Sequence, residues 1–289
     1  MRVYVTGASG LLGRALLAEL PADWEARGVA HHDFDIADAG AVSKSIEAFA
    51  PDVVVHAAAN AIVDECESDP AHAFRVNLGG TRNVAAACRS AGCRLVYISS
   101  DYVFDGTETP AGGYREDDVP NPLSVYGVTK LAGERISAAV PDHLSVRTSW
   151  LFGGEDERVD QVLALVRRAA RGERVRLIDD QFSAPTYTAD LARALMFLLE
   201  RRVTGTIHVA NRGRASWYQV AGVALGVDAG RVEPMPMAEC GFRGARPRDS
   251  TLGTDRLAAL GFAMPDWEDA VRRFTGLLTP GAHEGEGNR

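Results

Sequence analysis

Tyr126-Gly127-Val128-Thr129-Lys130 sets a phenol and an ammonium four residues apart, on one face of the segment if it is helical. That pair suits ketone reduction. Hydride added to a carbonyl carbon leaves charge on the oxygen, and a positioned acid must supply a proton there. A phenol near its reference pKa of about 10 is a poor partner at neutral pH, and a neighbouring cation lowers that value. Lys130 is spaced to act in this way on Tyr126. Only two of the 31 basic residues are lysine, Lys44 and Lys130, against seven tyrosines. Coincidence would produce such a pair about 5% of the time. Ser100, ending the β-rich run Arg94–Ser100, offers a third hydrogen bond to a carbonyl oxygen. The alternative is a surface tyrosine and lysine on an exposed helix.

A second constellation opens the chain. Gly7-Ala8-Ser9-Gly10-Leu11-Leu12-Gly13 follows the strand-like run Arg2–Thr6 and leads into a helical pattern, Leu11–Leu20. Glycine permits the tight turn and close backbone approach, while the helix N-terminus presents free N–H groups to a pyrophosphate. In this context the pattern indicates a dinucleotide, although a bare structural turn would look the same. Lys130 then has a further task, holding the nicotinamide ribose. The choice of cofactor depends on the residues ending the second strand, where His31-His32-Asp33 point both ways; NADPH is slightly favoured over NADH. Asp35 and Ile36 are placed to flank the adenine. No metal site is expected, because adjacent side chains such as His31-His32-Asp33 rarely converge on one ion.

These residues need a scaffold, and the first half of the chain supplies one. Strands are expected at Arg2–Thr6, Trp24–Ala30, Val53–Ala58, Arg94–Ser100 and Ser145–Trp150, and helices at Leu11–Leu20, Ala71–Ala91 and Leu123–Val140. The unbroken apolar run at Val53 is what a strand covered on both faces requires. Such alternation implies right-handed βαβ units and a doubly wound parallel sheet. After Trp150 the rhythm breaks. Helices are expected at Val159–Arg171, Asp190–Glu200, Trp217–Leu225, Thr254–Leu260 and Trp267–Leu278, with a strand at Thr206–Ala210 returning to the sheet. The expected division is a dinucleotide-binding unit over 1–151 with 185–211 rejoining it, a smaller lobe from 152–184 and 212–278, and a disordered tail over 279–289.

Composition narrows the classes. With 289 residues, 46% apolar and 24% charged, the chain can bury a sizeable core, and no apolar run reaches the 18 residues of a membrane span. The first residues read as strand and turn, not as a signal peptide, and four cysteines without a CxxC pair suggest idle thiols in a reducing cytoplasm. A net charge of −8 argues against nucleic acid as a partner. Residues 201–256 nonetheless carry nine arginines against five acids, a local basic segment suited to an anion.

Taken in order, these segments resemble the extended short-chain dehydrogenase/reductases, and within them the dTDP-4-dehydrorhamnose reductases. The resemblance rests on Thr6–Gly13, Pro51–Ala59, Val63-Asp64-Glu65-Cys66-Glu67, Val76-Asn77, and Ile98 through Gly106 with its DYVFDG segment. It continues through Pro122–Lys130, Arg147–Trp150, Ser183–Tyr187, Ser216-Trp217-Tyr218, Ala245–Arg248 and Asp266-Trp267. It implies a Rossmann-like α/β fold with a smaller C-terminal substrate-binding lobe, and NAD(P)H-dependent reduction of the 4-keto group of a nucleotide-activated deoxyhexose. Tyr126, Lys130 and Ser100 would be catalytic, Ser100 standing where the family usually has threonine. Gly7, Ser9, Gly10, Leu11, Leu12, Gly13, His31, Asp35, Ile36, Ala57, Ala58, Ala59 and Asn77, with Tyr126 and Lys130, would line the cofactor. Asp101, Tyr102 and Trp150 would line the sugar pocket, and Arg246 or Arg248 would meet the diphosphate. His56 departs from the family's usual asparagine and is expected to be a packed strand-end histidine. A nucleotide sugar is the expected partner, with neither nucleic acid nor membrane; a homodimer is the assembly to test.

Three rivals share these motifs. Sugar-nucleotide dehydratases carry an Asp-Glu pair after the hydroxyl residue, to supply acid and base. Here Asp101-Tyr102 replaces one carboxylate by a phenol, which argues against dehydration. An epimerase needs the same Tyr and Lys plus a tightly held NAD. A non-catalytic NAD(P)-binding regulatory subunit, such as that of methionine adenosyltransferase, need not keep the pair that this chain has.

Overall fold

The computed structural model describes residues 1–278; the tail expected over 279–289 lies outside the described residues. Six parallel strands form the central sheet: β1 (Arg2–Thr6), β2 (Glu25–Val29), β3 (Val53–His56), β4 (Arg94–Ser100), β5 (Leu144–Thr148) and β9 (Gly205–His208), in the order β2-β1-β3-β4-β5-β9. Alternation along each strand sends side chains to opposite faces. Val3, Val5, Val53, Val55, Val96 and Ile98 meet helices α1 (Leu11–Glu19) and α8 (Thr188–Glu200) on one face. Tyr4, Val54 and Leu95 meet α2 (Ala39–Phe49) and α5 (Gly80–Ala91) on the other. Each fully buried Val or Leu contributes roughly 1.5–3 kcal/mol relative to exposure, so this sandwiched sheet is a rigid base for the loops at its edge. The strand order reverses at β1, which lies between β2 and β3. Open α/β sheets bind ligands in the crevice at such a reversal, outside the carboxyl ends of the strands.

Beyond β5 the chain builds smaller layers. Short parallel pairs form between β6 (Leu151–Phe152) and β8 (Thr186–Tyr187), and between β7 (Val175–Ile178) and β10 (Val232–Met235). Helices α7 (Gln161–Ala170), α9 (Trp217–Leu225) and α11 (Trp267–Leu278, with Phe274) close over Phe152 and Tyr187, while α10 (Asp255–Ala259) packs Leu257 into the core of the central sheet. The strand expected at 206–210 is β9, paired in parallel with β5.

Most expected elements are present with trimmed ends, and two differ in kind. The helix expected over Ala71–Ala91 is broken by a π-helical turn, Phe74–Gly79, between α4 (Pro70–Ala73) and α5. The strand expected to reach Trp150 stops at Thr148, and Trp150 takes a left-handed backbone with φ 40°. Helix α2 escaped the sequence reading, although its signals are local. Asp38 caps it by accepting from Gly40 N and Ala41 N, and Val42, Ile46 and Phe49 form its buried stripe. Helix α3 (Val63–Ser68) was also passed over.

Candidate active site

Helix α6 (Val125–Ser137) carries the phenol and the ammonium, and its start is fixed twice. Ser124 caps it by accepting from Gly127 N at 3.2 Å, and Glu67 of α3 accepts from Val125 N at 3.0 Å. Two glycines let it press against β4. A Cβ on Gly127 would lie 2.3 Å from the Tyr102 carbonyl oxygen, and one on Gly133 would lie 2.2 Å from the Tyr97 hydroxyl. Lys130 is consequently buried. Its Nζ donates to the Ile98 carbonyl at 2.5 Å and stands 4.5 Å from the centre of the Tyr97 ring. Burial holds this ammonium down at about 8, against a partial counterpull from Glu134.

Tyr126 sits edge-on to Tyr102, with ring centres 5.8 Å apart. Burial pushes its phenol well up; the Ser100 hydroxyl pulls back as a hydrogen-bond partner, and the Asp101 carboxylate pushes the same way as burial. The lowering expected of Lys130 is therefore not what the structure gives. The lysine is engaged with Ile98 and Tyr97, and Tyr126 rests as a firmly protonated phenol.

Ser100 ends β4, donates to Asp101 Oδ1 at 3.0 Å and accepts from Tyr102 N at 3.2 Å. Asp101 does not face the crevice as a pocket wall: it is 2% exposed and wrapped in hydroxyl groups. Tyr102 lies against Tyr126, and Trp150 stacks face to face on Trp217, ring centres 4.6 Å apart at 8°.

The glycine turn forms the opposite wall. Gly7 has φ 74°, and a Cβ there would fall 2.7 Å from Ala58 N. One on Gly13 would meet the Gly7 carbonyl oxygen at 2.2 Å. Helix α1 begins at Leu11 with Gly10 at its cap and no side-chain cap, so its first N–H groups remain available to an anion. This cradle suits a dinucleotide pyrophosphate. Ala57, Ala58 and Ala59 follow β3 directly, and the backbone of Ala57 and Ala58 packs against Gly7.

Below them, His56 is buried between two threonines, 2.7 Å from Thr6 Oγ1 and 3.1 Å from Thr81 Oγ1. Thr81 gives its own hydrogen to the Asn77 carbonyl. It must therefore accept from Nε2–H, which leaves Nδ1 to accept from Thr6. Burial holds this neutral imidazole down at about 3.

Several expected cofactor residues turn out to be occupied. Asn77, in the π turn, is buried; it accepts from Asn60 N and donates to Asn60 O and Thr129 Oγ1. It braces the loop after β3 against α6 and presents no free group to a ligand. Asp35 pairs with Arg75 at 2.6 Å, while Ile36 packs over Gly80. His31 and His32 are exposed beyond β2, and Asp33 turns back to accept from Ala30 N at 2.8 Å. Arg246 is also engaged. It meets Asp64 at 2.9 Å and stacks on Phe242, whereas the Arg248 side chain is exposed. Asp64 Oδ1 additionally accepts from Arg243 N and Gly244 N, so α3 ties the basic segment across the crevice mouth. A cavity of about 500 Å³ opens there, between Asn60, Asp64 and Arg243. Another of about 400 Å³ lies behind α6 against Glu116–Pro120, away from Tyr126.

The RmlD substrate binding domain family model matches residues 1–279. The chain belongs to that family. It is 37% identical to a dTDP-4-keto-6-deoxy-D-glucose reductase of Streptomyces niveus, over 96% of this chain and 97% of that protein. With a dTDP-4-dehydrorhamnose reductase of Streptomyces griseus it shares 41% identity over 93% and 91%. The crystal structure of dTDP-4-dehydrorhamnose reductase from Bacillus anthracis in complex with NADP superposes with a TM-score of 0.90 at 34% identity, over 96% of this chain and 99% of that one.

Within this RmlD-type fold, sequence reasoning missed three groups of residues. Ser149, Ser183 and Ser250 surround Asp101 from distant stretches; Ser149 and Ser183 lie inside segments quoted for the resemblance, but nothing in their spacing shows that they converge on one side chain. Asp64 and Glu67 lay inside a segment quoted for the resemblance, and their spacing of three on one helix was the available signal. Tyr97, beneath Lys130, reads in sequence as an ordinary strand aromatic.

Proposed function

We propose that this protein reduces the 4-keto group of a dTDP-activated 4-keto-6-deoxyhexose, with NADPH, or NADH, as reductant. The observation that carries the reading is the meeting of Tyr126, Lys130 and Ser100 at the carboxyl end of β4, beside the glycine crevice. A reduced nicotinamide bound in that crevice supplies the hydride. Tyr126 gives its proton to the oxygen as charge develops there, and burial together with the nearby Asp101 carboxylate keeps the phenol loaded for that step. Ser100 contributes a second hydrogen bond to the same oxygen, and Lys130 holds the ribose with a cation that persists up to about pH 8. Tyr102, in van der Waals reach of Tyr126, fills the place where dehydration would need a second carboxylate.

In this reading, residues 1–151 and 185–211 serve the cofactor, and residues 152–184 and 212–278 serve the sugar nucleotide. Trp150 with Trp217 forms an aromatic wall for the hexose or base. Arg246 exchanges Asp64 for the diphosphate, with Arg248 in support. A homodimer working in the cytoplasm completes the picture. The test is nicotinamide absorbance at 340 nm on adding dTDP-4-keto-6-deoxyglucose or its epimerised 4-keto product. Loss of absorbance with formation of the 4-hydroxy sugar is expected, and binding without turnover of either substrate would refute the reading.

A further inference from the structure

Among the described residues, Asp101 is the buried carboxylate beside Tyr126, and its influence on that phenol accounts for none of its four hydroxyl partners. It is 2% exposed, and its partners are hydroxyls. Oδ1 accepts from Ser100 at 3.0 Å; Oδ2 accepts from Ser149 at 3.0 Å, Ser183 at 2.9 Å and Ser250 at 2.5 Å. Each serine brings a different part of the chain. Ser100 ends β4, and Ser149 follows β5 and precedes the left-handed Trp150. Ser183 stands three residues before β8, and Ser250 lies two residues beyond Arg248. Ser183 also contacts both of the other Oδ2 donors, Ser149 and Ser250.

An ionised carboxylate out of water is tolerated only when its lone pairs are filled. Each serine has one hydrogen to give, and the close Ser149–Ser183 contact takes one of them, so at most three reach Asp101 at once. Burial pushes the carboxyl group up and the hydroxyls pull it back, so the four rotors are coupled through this one side chain. Ser100 keeps its backbone contact with Tyr102 N and its side-chain contact with Tyr126, and its single hydrogen, held on Asp101 Oδ1 at rest, is the one that turns to the reacting oxygen. Ser149 fixes the residue next to Trp150, and Ser250 fixes the stretch that leads back to the arginines.

We propose that Asp101 is the positioning residue of this active site, acting through Ser100 on the reacting oxygen and through Ser149, Ser183 and Ser250 on the walls that receive the sugar nucleotide. The inference rests on the reductase reading above. An apolar filler of equal volume would pack this space but would offer these hydroxyls no acceptor. The role thus belongs to the carboxyl oxygens as well as to the shape.

Asp101→Asn tests it, because the amide keeps the volume and turns one acceptor into a donor, reversing at least one serine. The readouts are kcat per folded molecule, KM for the sugar nucleotide, the Kd of NADPH by fluorescence, and melting. The expected result is a kcat lowered ten-fold or more and a KM raised at least five-fold, with the NADPH Kd within two-fold of wild type. In a Ser100→Ala background the same substitution should lower kcat by less than three-fold, since part of its effect passes through that hydroxyl. A kcat and KM both within two-fold of wild type would overturn the proposal, however far the melting temperature moves. So would full additivity with Ser100→Ala.

Should Asp101→Asn not fold, Ser149→Ala and Ser250→Ala each leave three donors in place. Each is then expected to raise KM three- to ten-fold, and unchanged values in both would sink the idea. Calorimetric binding of a dTDP-sugar gives the same comparison without turnover. An inactive wild type would therefore count against the reductase reading alone, and equal dTDP-sugar affinity in all these variants against the role of Asp101.

Discussion

Replacing Lys130 by methionine should make the folded protein more stable while it abolishes activity, and the gain should depend on pH in a defined direction. The ammonium is buried, and its pKa falls from 10.5 to about 8. That difference corresponds to about 3 kcal/mol held against the folded state at neutral pH. Below about 8 both folded and unfolded chains carry the proton, so the penalty is present in full. Between about 8 and 10.5 the unfolded chain binds more protons than the folded one, wild-type stability rises with pH, and the penalty fades. Methionine fills much the same path without the charge, but it forfeits the bond to the Ile98 carbonyl and the contact with the Tyr97 face. Those losses are worth about 1–2 kcal/mol together. The net gain expected at pH 7 is about 1–2 kcal/mol, or a melting temperature a few degrees higher for a chain of this size. Urea melts of wild type and Lys130→Met from pH 6 to 10 measure it directly. A variant less stable than wild type at pH 7, or a difference that stays constant up to pH 10, would refute the reasoning about this buried cation.

The remaining predictions concern the rest of the crevice. Tyr126→Phe should lower kcat by two orders of magnitude or more and leave NADPH affinity nearly intact, as loss of a general acid does; near-wild-type turnover would remove the phenol from that role. Arg246→Ala should raise KM for the sugar nucleotide more than it lowers kcat, since diphosphate binding is roughly uniform between ground and transition states; steady-state kinetics decide, and an unchanged KM removes Arg246 from the site. His56 and His208 are both held at about 3 by burial, so the unfolded chain takes up their protons first as pH falls below about 6.5. Each should cost about 2 kcal/mol of stability between pH 6.5 and 5, and His56→Asn should flatten about half of that acid slope in denaturant melts. Gly7→Ala places a Cβ 2.7 Å from Ala58 N at φ 74°, and should weaken NADPH binding at least ten-fold in a fluorescence titration.

Local chemistry was legible in the sequence wherever its parts were neighbours. The Tyr126–Lys130 pair, the Gly7–Gly13 turn and the alternating valines of β3 are all set by spacings of a few residues, and the fold places them accordingly. What the sequence hid were the partners that arrive from elsewhere. Asp33 reads as part of the group that chooses between NADPH and NADH until its carboxylate is seen closing the turn on Ala30 N. Asn77 reads as a cofactor contact until the π turn buries it against Asn60 and Thr129. Arg246 reads as a free phosphate-binding cation until Asp64, 182 residues away, is seen to hold it. A composition count cannot distinguish a cation awaiting an anion from one already paired.

The same distinction changes how the tyrosine works. Sequence spacing suggests a phenol made acidic by an adjacent ammonium, but the folded chain turns that ammonium onto the Ile98 carbonyl and leaves the phenol high. A high phenol is a poor spontaneous acid and a secure proton store. It stays loaded across the whole working pH range and releases its proton only where charge accumulates on an oxygen in contact with it. An alkoxide formed by hydride addition is such a charge, being far more basic than the ketone before it. The resting protonation state is therefore the one that reduction uses, whereas the reverse reaction starts from a Tyr126 phenolate, a form that burial and the Asp101 carboxylate make scarce in the resting enzyme.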